Sequence, residues 1–202
     1  MKERRNRGSD YRLKALQRYS NFAADGDDSR LIDFVGRHND ASQSVGYGKA
    51  LMLFHQLRLH LGDPAFVDAL RRLWRDHRFQ PVGFEQVIET LTRGQPAARD
   101  QARQWLFRTG APTLSLGPTT VRQQGDRYRL ELTLRQTQPA FSLRVPVAVT
   151  LAGEATARIH WLSLDAPSKT FSLDTASRPL RVDVDPAYDV LRYLDPSEQP
   201  PA

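Results

Sequence analysis

The chain has 202 residues and a mass of 23.0 kDa, with 40% hydrophobic and 26% charged residues, a composition that excludes bulk disorder. The longest apolar run, Ala50 to Phe54, is far short of the ~20 residues of a membrane-spanning helix, and the absence of cysteine excludes disulfides, thiolate metal sites and cysteine nucleophiles. The formal net charge is +6. Only four of the 29 basic residues are lysines (Lys2, Lys14, Lys49, Lys169). The arginines are dispersed, often beside Asp or Glu, and the densest basic cluster is Lys2 to Arg7, so the charge argues against a nucleic-acid partner. The first residues lack the apolar stretch of a signal peptide and read as a start inside a longer protein or as a cytosolic start.

From Asp10 to Arg108 the apolar residues recur at helical spacing. Leu13, Leu16 and Tyr19 mark a short helix. Ser29 opens a second, with Leu31, Ile32 and Val35 on its inner side. A polar loop from Asn39 to Ser44 leads into an apolar helix from Val45 to Leu61, which Gly62 stops. Asp63 and Pro64 then start the next helix, as cap residue and first-turn proline. There Phe66, Leu70, Leu73, Trp74 and His77 share one face expected to pack in the core. Phe84, Val87, Ile88 and Leu91 repeat the pattern, and Ala98, Ala102, Trp105 and Leu106 form the last helix before Gly110 and Pro112.

Beyond Pro112 the period changes from 3.6 to 2. Tyr128, Leu130, Leu132 and Leu134 alternate with polar residues, as do Phe141, Leu143, Val145, Val147, Val149 and Leu151. Shorter strands are centred on Ile159 and Leu162, on Phe171 and Leu173, and on Leu180, Val182 and Val184, with turn signals at Gln124-Gly125-Asp126, Gly153 and Asp165-Ala166-Pro167. The pattern predicts an α+β chain in two units. A helical part over residues 1–110 precedes a small antiparallel, immunoglobulin-like β-sandwich over 111–186, and 187–202 is an extended proline-rich tail whose Tyr188, Val190, Leu191, Tyr193 and Leu194 are available for docking.

The five histidines, His38, His55, His60, His77 and His160, contain no His-Glu-x-x-His pair, and the spacing of His55 and His60 rotates them apart on a helix. There is no Gly-x-Ser-x-Gly elbow, and Gly46-Tyr47-Gly48-Lys49 lacks the rest of a phosphate loop. The candidate catalytic residue is Tyr47. At the start of an apolar helix, between two small residues, its phenol can donate a hydrogen bond to an oxyanion without ionising. The competing reading is a tyrosine packed half-buried at a helix start.

The stretch Ser44-Val45-Gly46-Tyr47-Gly48-Lys49-Ala50-Leu51-Met52-Leu53 resembles the Tyr-x-Lys-Gly segment of zinc aminopeptidases of the aminopeptidase N type, the gluzincin aminopeptidases. Leu57-Arg58, Leu61 to Phe66, Ala69-Leu70-Arg71, His77-Arg78-Phe79, Phe84-Glu85, Gln104 to Leu106, Gly110 to Pro112, the Leu130 to Gln136 and Phe141 to Val147 strands, Asp185-Pro186, Leu191 to Leu194 and Glu198 to Pro201 follow in the same order as in bacterial members. The resemblance implies a zinc hydrolase of N-terminal peptide bonds, with zinc on His-Glu-x-x-His and a downstream glutamate, and with Tyr47 as the oxyanion tyrosine. The chain departs from the family in lacking the zinc motif and any Gly-x-Met-Glu-Asn stretch, and in carrying Ala50 where glycine is usual. In the family the zinc ligands precede the tyrosine by more than the 46 residues that precede Tyr47 here. The resemblance therefore implies a C-terminal part of a larger metallopeptidase, with no metal ligands of its own and no activity alone. It also implies exported or membrane-associated parents, a peptide substrate, the rest of the catalytic domain as a partner, and self-association through a face that this domain would otherwise cover. A non-enzymatic interaction module of the same descent is the alternative.

Overall fold

Residues 2–24 and 28–198 are described by the structure, a computed structural model. Two compact units divide the described residues: Tyr11–Gly110, and residues 111–198 together with residues 2–10. The architecture is α+β, helical first and stranded second. No described helix is long and apolar enough to cross a membrane. The expectations on Gln199 to Pro201, and on all of the Lys2 to Arg7 cluster but Arg7, concern residues or side chains outside those described.

The first helix, α1 (Lys2–Ala24), is longer than its apolar positions suggest; Leu16 and Tyr19 are its buried anchors. The helix expected from Ser29 shrinks to one 3-10 turn, Leu31–Asp33. Leu31 is buried there, but Val35 is 92% exposed, so the stripe holds for only one turn. The loop expected over Asn39 to Ser44 is already helical. Asn39 caps α2 (Asp40–Gln43), its Oδ1 accepting from the Ser42 amide at 2.8 Å while Ser42 Oγ accepts from the Asn39 amide at 3.0 Å. The chain continues without a break through a π-helical segment, Ser44–Lys49, into α3 (Ala50–Leu61). Gly62, at φ +80°, ends it.

In α4 (Asp63–His77) Asp63 does not cap. Its carboxylate accepts two hydrogen bonds from Arg58, both at 2.7 Å. The face expected in the core is largely outside it: only Ala69 is buried, and Trp74 is 65% exposed. The shorter helices α5 (Phe84–Leu91) and α6 (Pro96–Phe107) follow expectation, burying Ile88 and Leu91, and Ala98, Ala102, Trp105 and Leu106. The Trp105 indole N–H donates to Gln56 Oε1 at 2.8 Å, so this ring ties α6 to α3.

The second unit holds two antiparallel three-stranded sheets. In one, β2 (Arg127–Gln136) lies between β1 (Leu114–Gln124) and β5 (Ser168–Thr175). In the other, β3 (Leu143–Leu151) lies between β4 (Arg158–Leu164) and β6 (Pro179–Val184). Leu130, Leu132 and Leu134 of β2 are buried at every second residue, as alternation demands. Central β3 buries every residue from Val145 to Val149. Strand β1 lies beside β6 and β4 beside β5, so the sheets stack as a small sandwich. Ile159 and Leu180, expected inward, are exposed on outer strands.

The segment after β6 does not hang free. Val190, Leu191 and Leu194 are buried, the Tyr193 amide donates to the Pro112 carbonyl at 2.9 Å, and Thr113 and Tyr193 form a parallel bridge. Its hydrophobic residues are thus used within their own unit.

Candidate functional site

Tyr47 stands on the widened turn Ser44–Lys49, where the π-helical hydrogen bonding re-aims the side chains relative to an ideal α-helix. Its ring is 60% exposed. The expectation of a tyrosine with room and access describes this position better than the half-buried reading. The reason lies in its neighbours. A Cβ on Gly46 would run into the Phe34 ring, so only glycine lets Phe34 close onto this turn. Phe34 in turn meets Tyr47 edge-on, with centroids 5.8 Å apart and planes at 76°. Gly48 faces α1, where an added Cβ would lie 3.8 Å from the Ala15 carbonyl oxygen. Tyr47 is thus steered by Phe34 from one side and faces an open pocket of about 690 Å³ between α1 and the α2 turn.

The residue after Gly48 does the opposite of Tyr47. Lys49 is fully buried, and its Nζ donates to the Arg108 carbonyl at 2.9 Å, lies 3.6 Å from Asp28 Oδ2 and approaches the Tyr19 ring to 5.8 Å. Asp28 Oδ2 also accepts from the Tyr19 hydroxyl at 3.0 Å and from the Gly110 amide. Burial holds the Lys49 ammonium below its ordinary range, and the Asp28 charge works against that fall. Two residues of the turn, one on each side of Gly48, therefore have divided tasks: Lys49 ties it to the end of the helical unit, and Tyr47 is presented outward. Neither Phe34 nor the Lys49–Asp28 pair is singled out by sequence spacing. A buried lysine in an apolar helix is the one signal that could have indicated the second.

The histidines are not gathered around Tyr47. Among the described residues no three of His, Asp and Glu come together as a group able to hold a metal ion. His77 Nε2 lies 3.4 Å from Thr90 Oγ1 between α4 and α5, and His160 is on β4. Among the described residues the pocket is lined by the phenols of Tyr11 and Tyr47, the cations Lys14, Arg18 and Arg37, and the carboxylate of Asp40.

Comparison with family models and with curated proteins finds no match. Among solved structures the chain is similar in fold to Legionella pneumophila aminopeptidase A, determined in complex with aspartic acid, at a TM-score of 0.61 and 16% identity. The match covers 78% of this chain and 18% of that one, so the chain spans less than a fifth of the neighbour's length.

Proposed function

We propose that this chain is a C-terminal part of a zinc-dependent aminopeptidase of the aminopeptidase N type, with Tyr47 donating a hydrogen bond to the oxyanion formed when an N-terminal peptide bond is attacked. The observation that carries this reading is the presentation of Tyr47: an accessible phenol, steered by Phe34 and Gly46, on the wall of an open pocket. A phenol so placed supplies a neutral donor that strengthens as negative charge develops on its partner. The likeness in fold to an aminopeptidase supports the same reading. The metal ligands come from the rest of the catalytic domain, which is this chain's first partner; the peptide is its second. Without them the chain hydrolyses nothing.

The test has two arms. The purified 202-residue chain, given excess zinc, should leave aminoacyl p-nitroanilides intact. In the longer natural product of the same reading frame, Tyr47→Phe should lower kcat by about 10²- to 10³-fold, the loss typical of removing one oxyanion donor, with KM little changed. Zinc-dependent turnover by the chain alone, or an unchanged kcat in the variant, overturns the reading.

A second reading, an interaction module without catalysis, is favoured by the aromatic pair Trp74 and Phe79. The rings meet edge-on at 6.0 Å and are 65% and 91% exposed. Exposed apolar rings of this kind drive self-association. A reading frame without His-Glu-x-x-His ahead of this chain, together with Trp74-dependent oligomers in light scattering, would decide for it.

A further inference from the structure

The pocket beside Tyr47 carries a charge pattern that oxyanion chemistry does not need. Tyr11, Lys14 and Arg18 recur three and four residues apart on α1, so their side chains share one face, and all three line the pocket. Arg37 lines it too, with Asp40, the one carboxylate among the described lining residues, whose Oδ1 lies 3.6 Å from an Arg37 Nη. Among the described residues three cations thus face one anion, and that anion is already matched. Lys14 and Arg18 have no carboxylate partner among the described residues. Two like charges one helical turn apart repel, and an anion placed between them relieves the repulsion. A guanidinium fork takes a carboxylate in two parallel hydrogen bonds, an ammonium takes it as a point charge, and the Tyr11 and Tyr47 phenols add neutral donors.

We infer that the Tyr47 pocket selects acidic peptides, with Lys14 and Arg18 receiving a carboxylate side chain of the bound peptide. The inference rests on the reading of Tyr47 as a group that faces peptide, and it adds the substrate class. A peptide carrying glutamates is held by the α1 cations; the same peptide carrying glutamine offers the oxygen but not the charge.

The test is a binding measurement on the full 202-residue chain, independent of turnover. Two amidated, fluorophore-labelled pentapeptides, Ala-Glu-Ala-Glu-Ala and Ala-Gln-Ala-Gln-Ala, are titrated by fluorescence anisotropy at low salt. The glutamate peptide should bind about tenfold more tightly, as expected for one added charge-assisted hydrogen bond. The preference should shrink as salt is raised. It should vanish in the Lys14→Gln, Arg18→Gln double variant, whose substituted side chains are exposed, with an unchanged circular dichroism spectrum as the control for folding. Equal affinity for the two peptides, a preference that survives the double variant, or no binding of either peptide overturns the inference. So does tighter binding of a single-stranded oligonucleotide through the same two residues, which would assign the cations to phosphate. The Tyr47 reading is judged by kcat in the longer product, so the two can fail separately.

Discussion

The Arg192 guanidinium donates to the Asp185 carboxylate at 3.0 Å with both side chains almost wholly sealed from solvent. Asp185, at φ +49°, also accepts from the amides of Asp189 at 2.6 Å and Val190 at 3.4 Å. The far side of the guanidinium forks onto Glu198, with both bonds at 2.7 Å. One buried arginine thus closes the segment up to Glu198 onto the turn that leaves β6.

The two ends of this pair should not be equally sensitive. Removing Arg192 strands the Asp185 carboxylate in a dry site, so Arg192→Ala should cost about 3–5 kcal/mol in denaturant unfolding. Burial pushes the Asp185 carboxyl up to about 7, against the pull of Arg192, so its neutral form is within reach. Asp185→Asn mimics that form and leaves Arg192 paired with Glu198; its cost should be smaller, about 1–2 kcal/mol. The reverse order of the two variants would refute this account of the network.

Gly46→Ala should destabilise the helical unit by about 1–3 kcal/mol, because the new methyl group enters space held by the Phe34 ring. Trimming that ring makes room. In a Phe34→Ala background the same substitution should cost little, and the coupling in a double-mutant cycle of thermal melts measures the contact.

The pH dependence follows from Lys49. Its folded-state pKa lies below the unfolded value because burial disfavours the ammonium. The folded chain therefore holds this proton less tightly than the unfolded one, and stability rises with pH in the window beneath the ordinary lysine value of ~10.4. Lys49→Met carries no such proton. The wild-type curve of unfolding free energy against alkaline pH should rise more steeply than that of the variant, and parallel curves would contradict the assignment.

Trp74→Ser should lower stability by no more than about 0.5 kcal/mol, the range of surface substitutions, although sequence periodicity places Trp74 in a core stripe. Trp105→Ser, on a fully buried ring bonded to Gln56, should cost about 3–5 kcal/mol. Urea melts of the two variants compare an exposed and a buried indole directly.

Much of this fold is legible in the sequence wherever a buried face repeats. The leucines of β2, the valines of β3 and the Ala98 to Leu106 face of α6 all lie where period alone assigns them. Period fails where one contact decides the outcome. The stripe on α4 is amphipathic, yet its Trp74 meets Phe79 of the following turn instead of a core. Strand β1 is nearly all exposed, so it carries no alternation to read. At the site, Tyr47 could be singled out because two glycines flank it. Phe34 could not, since its role depends on a ring closing over the backbone 12 residues away in sequence. The basic face of α1 was equally hidden, because Lys14 and Arg18 look like ordinary solvated charges until the pocket opposite them is in view.

Strand β1 forms one border of its sheet, hydrogen-bonded only to β2. Its pairing register slips between Leu116 and Thr119, around Gly117 and Pro118. Gly117 already lies close to Thr133, where an added Cβ would come within 3.3 Å of that residue's carbonyl oxygen, so the slip is packed tightly against its neighbour. Proline has no amide hydrogen to offer, and a shifted register breaks the even row of donors and acceptors that a straight border strand displays. The irregularity thereby denies a template to any passing strand from another molecule, and guards the sandwich against edge-to-edge polymerisation.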